Sequence, residues 1–327
     1  SGALFLLDGL DEAREPATRN RVLEAVAEFT QNAGPLCRFL LTTRPYAWDD
    51  LKQSGTDAPS ERQGDTQPSL PSELAQMPVA YPLADFDEQQ IETFIEKWFA
   101  TVRDIGWIGA DNAREKAGNL QQAVQREDMQ NLARNPLLLT LMATLLANQA
   151  RLPDDRFDLY NQVVDLLLRR WNEEVGAAQG LLAGLQVPTL KLSDIREAMQ
   201  QLAFKAHSAH VGKDGVADIP LSDVEAVLGP LLQGKDKPET AAKVQTALDY
   251  IEDRAGLLLS QGARQYTFPH RTFQEFLAGC FLGGEKTFEE MACQLADENP
   301  AHWREALKFA ACKATASRGV PAADGLV

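Results

Sequence analysis

The sequence predicts an α/β unit followed by a mostly α-helical chain that contains a winged helix. Three observations carry this. Two short runs with apolar centres, Ala3–Leu7 and Arg38–Thr43, flank a segment of helical periodicity, which is the strand–helix–strand unit of an open parallel sheet. From Asn112 to about Glu174 apolar residues recur at helical spacing. Further on, three helical segments lead into two apolar runs around Gly262-Ala263, a β-hairpin, and then another amphipathic helix. Helices followed by a hairpin and a helix suggest a winged-helix unit.

Taken in order, Ala3–Leu7 reads as a strand buried on both faces and Asp8–Pro16 as an acidic loop. Thr18–Asn32 is a helix with Val22, Val26 and Phe29 inward, and Arg38–Thr43 is the second buried strand. Asp49–Pro78, rich in Ser, Gln, Asp, Gly and Pro, reads as a long mobile loop, with Val79–Leu83 as one more strand. Asp87-x-x-Gln90 is a capping box that opens a helix to about Thr101, with Ile91, Phe94, Ile95 and Trp98 as its buried stripe. Helices follow at Asn112–Arg126, Asp128–Ala133, Pro136–Asn148 and Asp155–Glu174; Pro136 suits a first turn, where an N–H is not needed. Gly176–Pro188 reads as a linker. Helices at Ser193–His207, Ser222–Leu232 and Glu239–Arg254 precede the hairpin of Leu257–Ser260 and Gln265–Phe268; Thr272–Leu282 follows it. Trp303–Lys313 starts a last helix with nothing left to pack against. The domain boundaries expected are 1–104, 105–178, 179–284 and 285–327.

Composition sets the class. With 327 residues, 44% hydrophobic and 24% charged, the chain has room for two or three packed units of a soluble protein. Its most apolar stretch, Pro136–Ala150, is too short to span a bilayer and lies between Arg134 and Arg151. Ser1–Leu7 has no basic n-region of a signal peptide. Four cysteines without a C-x-x-C pair read as reduced, mostly buried thiols of a cytoplasmic protein. A net charge of −15 argues against nucleic acid as the main ligand, since phosphate grip needs a basic face. Both ends read as cut.

Two strand tips carry the chemistry. Leu4-Phe5-Leu6-Leu7-Asp8-Gly9-Leu10-Asp11-Glu12 places its first charge where a core strand emerges. Open α/β sheets bind ligands at that edge. A carboxylate there suits Mg²⁺, and acids one turn later can orient or deprotonate an attacking water. A solvated acidic turn is the plainer alternative. In Phe39-Leu40-Leu41-Thr42-Thr43-Arg44-Pro45 an arginine follows the second strand, placed to touch a γ-phosphate or simply to pair with nearby acids.

Together with "LADFDEQQIETFIEKWF", "LARNPLLLTLMA" and "YTFPHRTFQEFLAG", these segments resemble the NACHT family, a branch of the STAND class of P-loop ATPases, over about Leu4–Leu282. The resemblance implies a partial P-loop NTPase sheet entered at Walker B, then a helical domain and a winged-helix domain. It implies ATP/ADP and Mg²⁺ as cofactors, with Asp8 as the metal ligand and Asp11 and Glu12 as catalytic acids. Arg44 would sense the γ-phosphate, Pro136 would lie against the adenine, and His270 would contact the β-phosphate of ADP and lock the resting state. Asp8, Arg44 and His270 would then share one pocket. The complete protein would be a nucleotide-controlled switch that self-oligomerises on activation, serving antiviral or innate immune defence, with its effector and sensor domains outside this chain.

One departure stands out. The family's Walker A loop, G-x-x-x-x-G-K-[ST], is absent, so a slow ATPase activity is expected of a complete protein and not of this chain. Gly229-Pro-Leu-Leu-Gln-Gly234-Lys235-Asp236 imitates the loop, but it follows a helix, ends in Asp where Ser or Thr is needed, and reads as opening no helix. His207 and His210 share a helix face without the acids or cysteines of a metal site. The rival reading is a nucleotide-independent interaction scaffold with a degenerate NTPase module.

Overall fold

The computed structural model describes residues 3–10, 13, 16–33, 36–43, 81–149, 151–172, 181–211, 216–254, 257–260 and 264–318. They fall into two units, each described by itself.

In the first unit, β1 (Leu4–Leu7), α1 (Pro16–Asn32) and β2 (Arg38–Leu41) form the expected strand–helix–strand. The strands are parallel, pairing Leu4 with Arg38 through Leu7 with Leu41. One face packs on α1. Phe5 stacks on Phe39 at 5.1 Å, Phe29 meets both edge-on, and Leu7 and Leu41 rest on Leu10, Leu23, Val26 and Ala27. Among the described residues nothing covers the other face: Leu4, Leu6 and Leu40 are exposed, where the sequence predicts strands buried on both sides. The helix turns Leu23 and Ala27 inward with Val26, whereas Val22 points out and Phe29 is only half covered. The same unit holds a second sheet of β3 (Ile219–Pro220), β4 (Leu259–Ser260) and β5 (Gln265–Thr267) in the order β3–β5–β4, antiparallel throughout. The Leu221 N–H extends the β3–β5 ladder to the Arg264 carbonyl. β3 had no signal in the sequence.

The second unit is helical. Residues 81–87 carry no strand, and Leu83 is fully exposed; Val79 and Ala80 lie outside the described residues, as do the loop 49–78 and the turn at Gly262-Ala263. α2 (Glu88–Asp104) opens on the anticipated capping box: the Asp87 carboxylate accepts the Gln90 N–H at 2.8 Å, and Gln90 Oε1 accepts the Asp87 N–H at 2.9 Å. Its buried stripe is Ile91, Ile95, Phe99 and Val102; Phe94 and Trp98 sit at the margin. α3 (Ala110–Ala123), α4 (Glu127–Ala133), α5 (Pro136–Asn148) and α6 (Arg156–Asn172) follow. α5 is apolar on nearly every side and is buried from Leu138 to Ala147 except at Thr140, as a helix without a polar face must be. The supposed linker contains a short helix, α7 (Leu181–Leu185), anchored by buried Leu185.

Then come α8 (Leu192–Ala209), α9 (Leu221–Leu228), α10 (Lys237–Arg254), α11 (Arg271–Gly284), α12 (Phe288–Glu298) and α13 (Pro300–Arg318). In chain order α8–β3–α9–α10–β4–β5, with the first strand pairing the last, is the winged-helix succession. α13 is no stray helix. It packs along α11, where a Cβ on Gly279 would stand 2.5 Å from the Ala306 carbonyl. Trp303, Ala306, Phe309, Ala310 and Ala314 are buried there. Arg156 bridges α6 to Glu305 of α13 at 3.0 Å, and Arg196 of α8 binds Asp165 and Asn161 of α6.

The cysteines are free, but only Cys280 is buried; Cys293 and Cys312 are exposed and Cys37 is intermediate. Cys280 lies in apolar surroundings that push its thiol up to about 12, which suits an inert core group. No helix among the described residues is long and apolar enough to cross a membrane.

Candidate functional site

The tip of the parallel pair is built from backbone geometry. After Leu7 the chain leaves the sheet through Asp8 and turns at Gly9, whose φ of 76° favours glycine. The Leu10 N–H then reaches the Thr42 carbonyl at 3.1 Å, and the Thr42 N–H reaches the Leu7 carbonyl at 2.9 Å. Between them the Thr42 hydroxyl donates to Asp8 Oδ1 and accepts the Gly9 N–H at 3.0 Å. Asp8 and Thr42 are both exposed at the carboxyl edge of the sheet. They form a pair of hard oxygen donors, with Asp8 Oδ2 unengaged among the described residues. Thr42 was visible in the sequence only as half of a polar pair after a strand. Its partnership with Asp8 needed the register of β1 on β2. Asp11, Glu12 and Arg44 lie outside the described residues.

Pro136 stands at the first position of α5, exposed, beside exposed Leu137. Asn135 caps the helix, its side-chain oxygen accepting the N–H groups of Leu137 and Leu138 at 2.9 and 3.2 Å. The strap before α2 is pinned to this corner, because the Phe86 N–H bonds the Arg134 carbonyl at 2.8 Å. Asp85, next along the strap, is near enough to His270 to favour its protonation. The strap is thus tied by a hydrogen bond to the helix end that carries Pro136, and its Asp85 acts electrostatically on His270.

His270 is the N-cap of α11, extended at φ −155°, and its Nδ1 accepts the Thr272 N–H at 3.2 Å. The Thr272 hydroxyl lies 2.9 Å from the same nitrogen and takes the Tyr160 phenol proton at 2.6 Å. Burial lowers the His270 pKa, and Asp85 opposes that only in part. Thr272 and Tyr160 were not singled out from sequence; the polar reach of Tyr160 across to α11 has no local signal.

The Walker A look-alike is a capped turn. Lys235 N–H bonds Glu239 Oε2 at 2.7 Å, Glu239 N–H bonds Asp236 Oδ1 at 2.9 Å, and Gly234 N–H bonds Thr240 Oγ1 at 2.9 Å. Its Lys-Asp-Lys-Pro ending does open a helix, α10, because Asp236 is a good cap and Pro238 sits in the first turn. Carboxylates occupy the place a phosphate would need. Among the described residues no three His, Cys, Asp or Glu side chains group to hold a metal. His207, paired on paper with His210, instead stacks on His302 at 4.0 Å.

Residues 156–282 match the family described as the winged helix-turn-helix domain C-terminal to NACHT. The match is to a domain that accompanies NACHT. It spans less than half of the chain and points to a NACHT-containing protein; the winged-helix reading stands on it together with the strand order above. No curated protein matches the chain.

Proposed function

We propose that this chain is the middle and rear of a NACHT NTPase that switches between ADP-bound and ATP-bound states, the Walker A loop being supplied ahead of β1. The observation that carries the proposal is the held carboxylate at the sheet edge: Asp8, fixed by Thr42 at the tip of β1–β2, in a chain whose later part matches a domain C-terminal to NACHT. A carboxylate and a hydroxyl are oxygen donors that fit Mg²⁺ with most of its water retained. When bound, that ion would neutralise charge on the transferring phosphate. Asp8 would hold it, with Thr42 orienting the carboxylate. By the NACHT resemblance, Asp11 and Glu12 would orient the attacking water and take its proton, and Arg44 would read the γ-phosphate. Pro136, rigid and without an N–H, offers an exposed apolar ring to a base. His270 would donate to the β-phosphate of ADP and favour the resting packing, so that exchange for ATP shifts the population toward an oligomerising form.

The test is titration of labelled ADP into the protein carrying its Walker A loop. His270→Ala should weaken ADP far more than ATP; equal affinities for both nucleotides in wild type and variant would remove the lock. Asp11→Ala with Glu12→Ala should abolish turnover while nucleotide still binds. Wild-type ATPase rates in that double variant would overturn the catalytic assignment.

A further inference from the structure

A histidine is an odd choice of helix cap. Ser, Asp, Asn and Thr reach the N2 or N3 amide with less loss of side-chain freedom and lead the preferences at this position. What histidine adds is a second nitrogen. Capping engages one ring nitrogen and leaves the other available, so the cap and a ligand contact can share one side chain.

Which nitrogen does which is fixed by its neighbours. Nδ1 accepts the Thr272 N–H at 3.2 Å and therefore presents a lone pair. The Thr272 hydroxyl sits 2.9 Å from Nδ1 and accepts the Tyr160 phenol at 2.6 Å. With that oxygen engaged as acceptor, its own proton is available to Nδ1, where it shares the one in-plane lone pair with the Thr272 N–H. A neutral ring accepting at Nδ1 carries its hydrogen on Nε2. Tyr160 itself is 1% exposed, stacked on Phe276 at 5.4 Å and edge-on to Phe273 and Phe309, so the phenol is held in place. His270 Nε2 has no hydrogen-bond partner among the described residues, and Asp85 is the charged group that acts on the ring.

We infer that Thr272 and Tyr160 are positioning residues that fix His270 as a neutral Nε2–H donor for a phosphate oxygen. This rests on the proposed role of His270 as the phosphate contact. The relay Tyr160–Thr272–His270 runs from α6 to the cap of α11, so the donor is set by the packing of two helices and does not depend on the ligand. Such preorganisation spares a phosphate the cost of selecting one tautomer from a mixture. The burial that disfavours an imidazolium acts in the same direction.

The tautomer is read directly by long-range ¹H–¹⁵N NMR on the whole chain, with His270 assigned by loss of its signals in His270→Gln. Wild type should show the Nε2–H form alone. Thr272→Val keeps the backbone N–H that Nδ1 accepts and loses only the hydroxyl, so it should admit a minor Nδ1–H form and raise the His270 pKa; Thr272→Ser should restore the wild-type pattern, and Tyr160→Phe, which removes a single oxygen, should fall between. An unmixed Nε2–H tautomer in both Thr272→Val and Tyr160→Phe overturns the positioning role. In the protein with its Walker A loop, Thr272→Val should bind ADP about tenfold more weakly, as loss of one directed hydrogen bond implies, and Thr272→Ser should not. Unchanged ADP affinity beside an altered tautomer overturns the link to the ligand. A wild-type His270 signal that does not respond to ADP overturns the reading beneath it instead.

Discussion

At the scale of single residues, the buried polar groups carry the most information. His207 and His302 stack face to face and exchange bonds crosswise. The His207 ring Nε2 bonds the His302 carbonyl at 3.3 Å, and His302 Nε2 bonds the His207 carbonyl at 2.9 Å. Gln274 donates to His207 Nδ1 at 3.1 Å and accepts the Ala217 N–H at 2.9 Å. Every position around His207 is therefore filled on the assumption of a neutral ring. Burial first, and then the neighbouring His302, lower its pKa from the ordinary 6.5 to about 3. The unfolded chain binds a proton below about 6.5 that the folded chain refuses until about 3, so this site's contribution is complete above 6.5 and is lost as pH falls. The slope approaches about 1.4 kcal/mol per pH unit for one proton. Denaturation midpoints measured from pH 7.5 to 5 should fall for wild type and fall less steeply for His207→Gln, whose amide can both donate and accept. Parallel slopes would show that His207 does not set the acid sensitivity. The sequence marked His207 only as a histidine on a helix face. Its partner lies 95 positions away, and no spacing rule could pair them.

At the scale of elements, local signals are legible in the sequence and tertiary ones are not. The Asp87–Gln90 capping box and the Pro136 helix start are written within four residues each, and both form. Asp87→Ala should lower stability by about 1 kcal/mol in a denaturant titration. By contrast, α12 and the role of α13 were missed, because what holds α13 is a pair of glycines on another helix. A Cβ at Gly279 would meet Ala306 O at 2.5 Å and Phe309 Cβ at 2.7 Å, and at Gly283 the Ala310 carbonyl would be closer still. At each glycine the nearest obstacle is a backbone carbonyl oxygen, which cannot swing aside. Gly284 has nothing within 4 Å. Gly279→Ala and Gly283→Ala should each destabilise by about 1–3 kcal/mol through overpacking, although alanine favours a helix. Gly284→Ala, with only the helix preference changed, should be neutral or gain up to about 1 kcal/mol. If all three shift the midpoint alike, the close crossing of α11 and α13 is not what fixes α13.

For the whole molecule, the order of parts was legible and the extent of the packed body was not. An apolar run, an acid at its end, a helical period and a second run suffice for a parallel β1–α1–β2, since each step is local. Whether both faces of that pair are covered depends on elements distant in sequence, which is why Leu4, Leu6 and Leu40 were misjudged. The same holds at the other end. The family match stops at residue 282, yet α11 is buried by α13 through Trp303, Ala306, Phe309 and Ala310, and Arg156 reaches across to Glu305. Trp303 is 1% exposed and Phe309 4% exposed. Burying each such aromatic contributes roughly 1.5–3 kcal/mol, so the two together reach the lower end of an ordinary domain's total stability. Deleting residues 287–327 should therefore bare the rings of Tyr160, Phe276 and Phe204 that pack against Phe309 and Trp303. It should also leave His207 without its stacking partner. The truncated chain is expected to lose its cooperative thermal transition and to bind a hydrophobic dye. A sharp, unshifted transition in the shorter chain would mean that the helical body closes at α11 and that α13 merely rests on it.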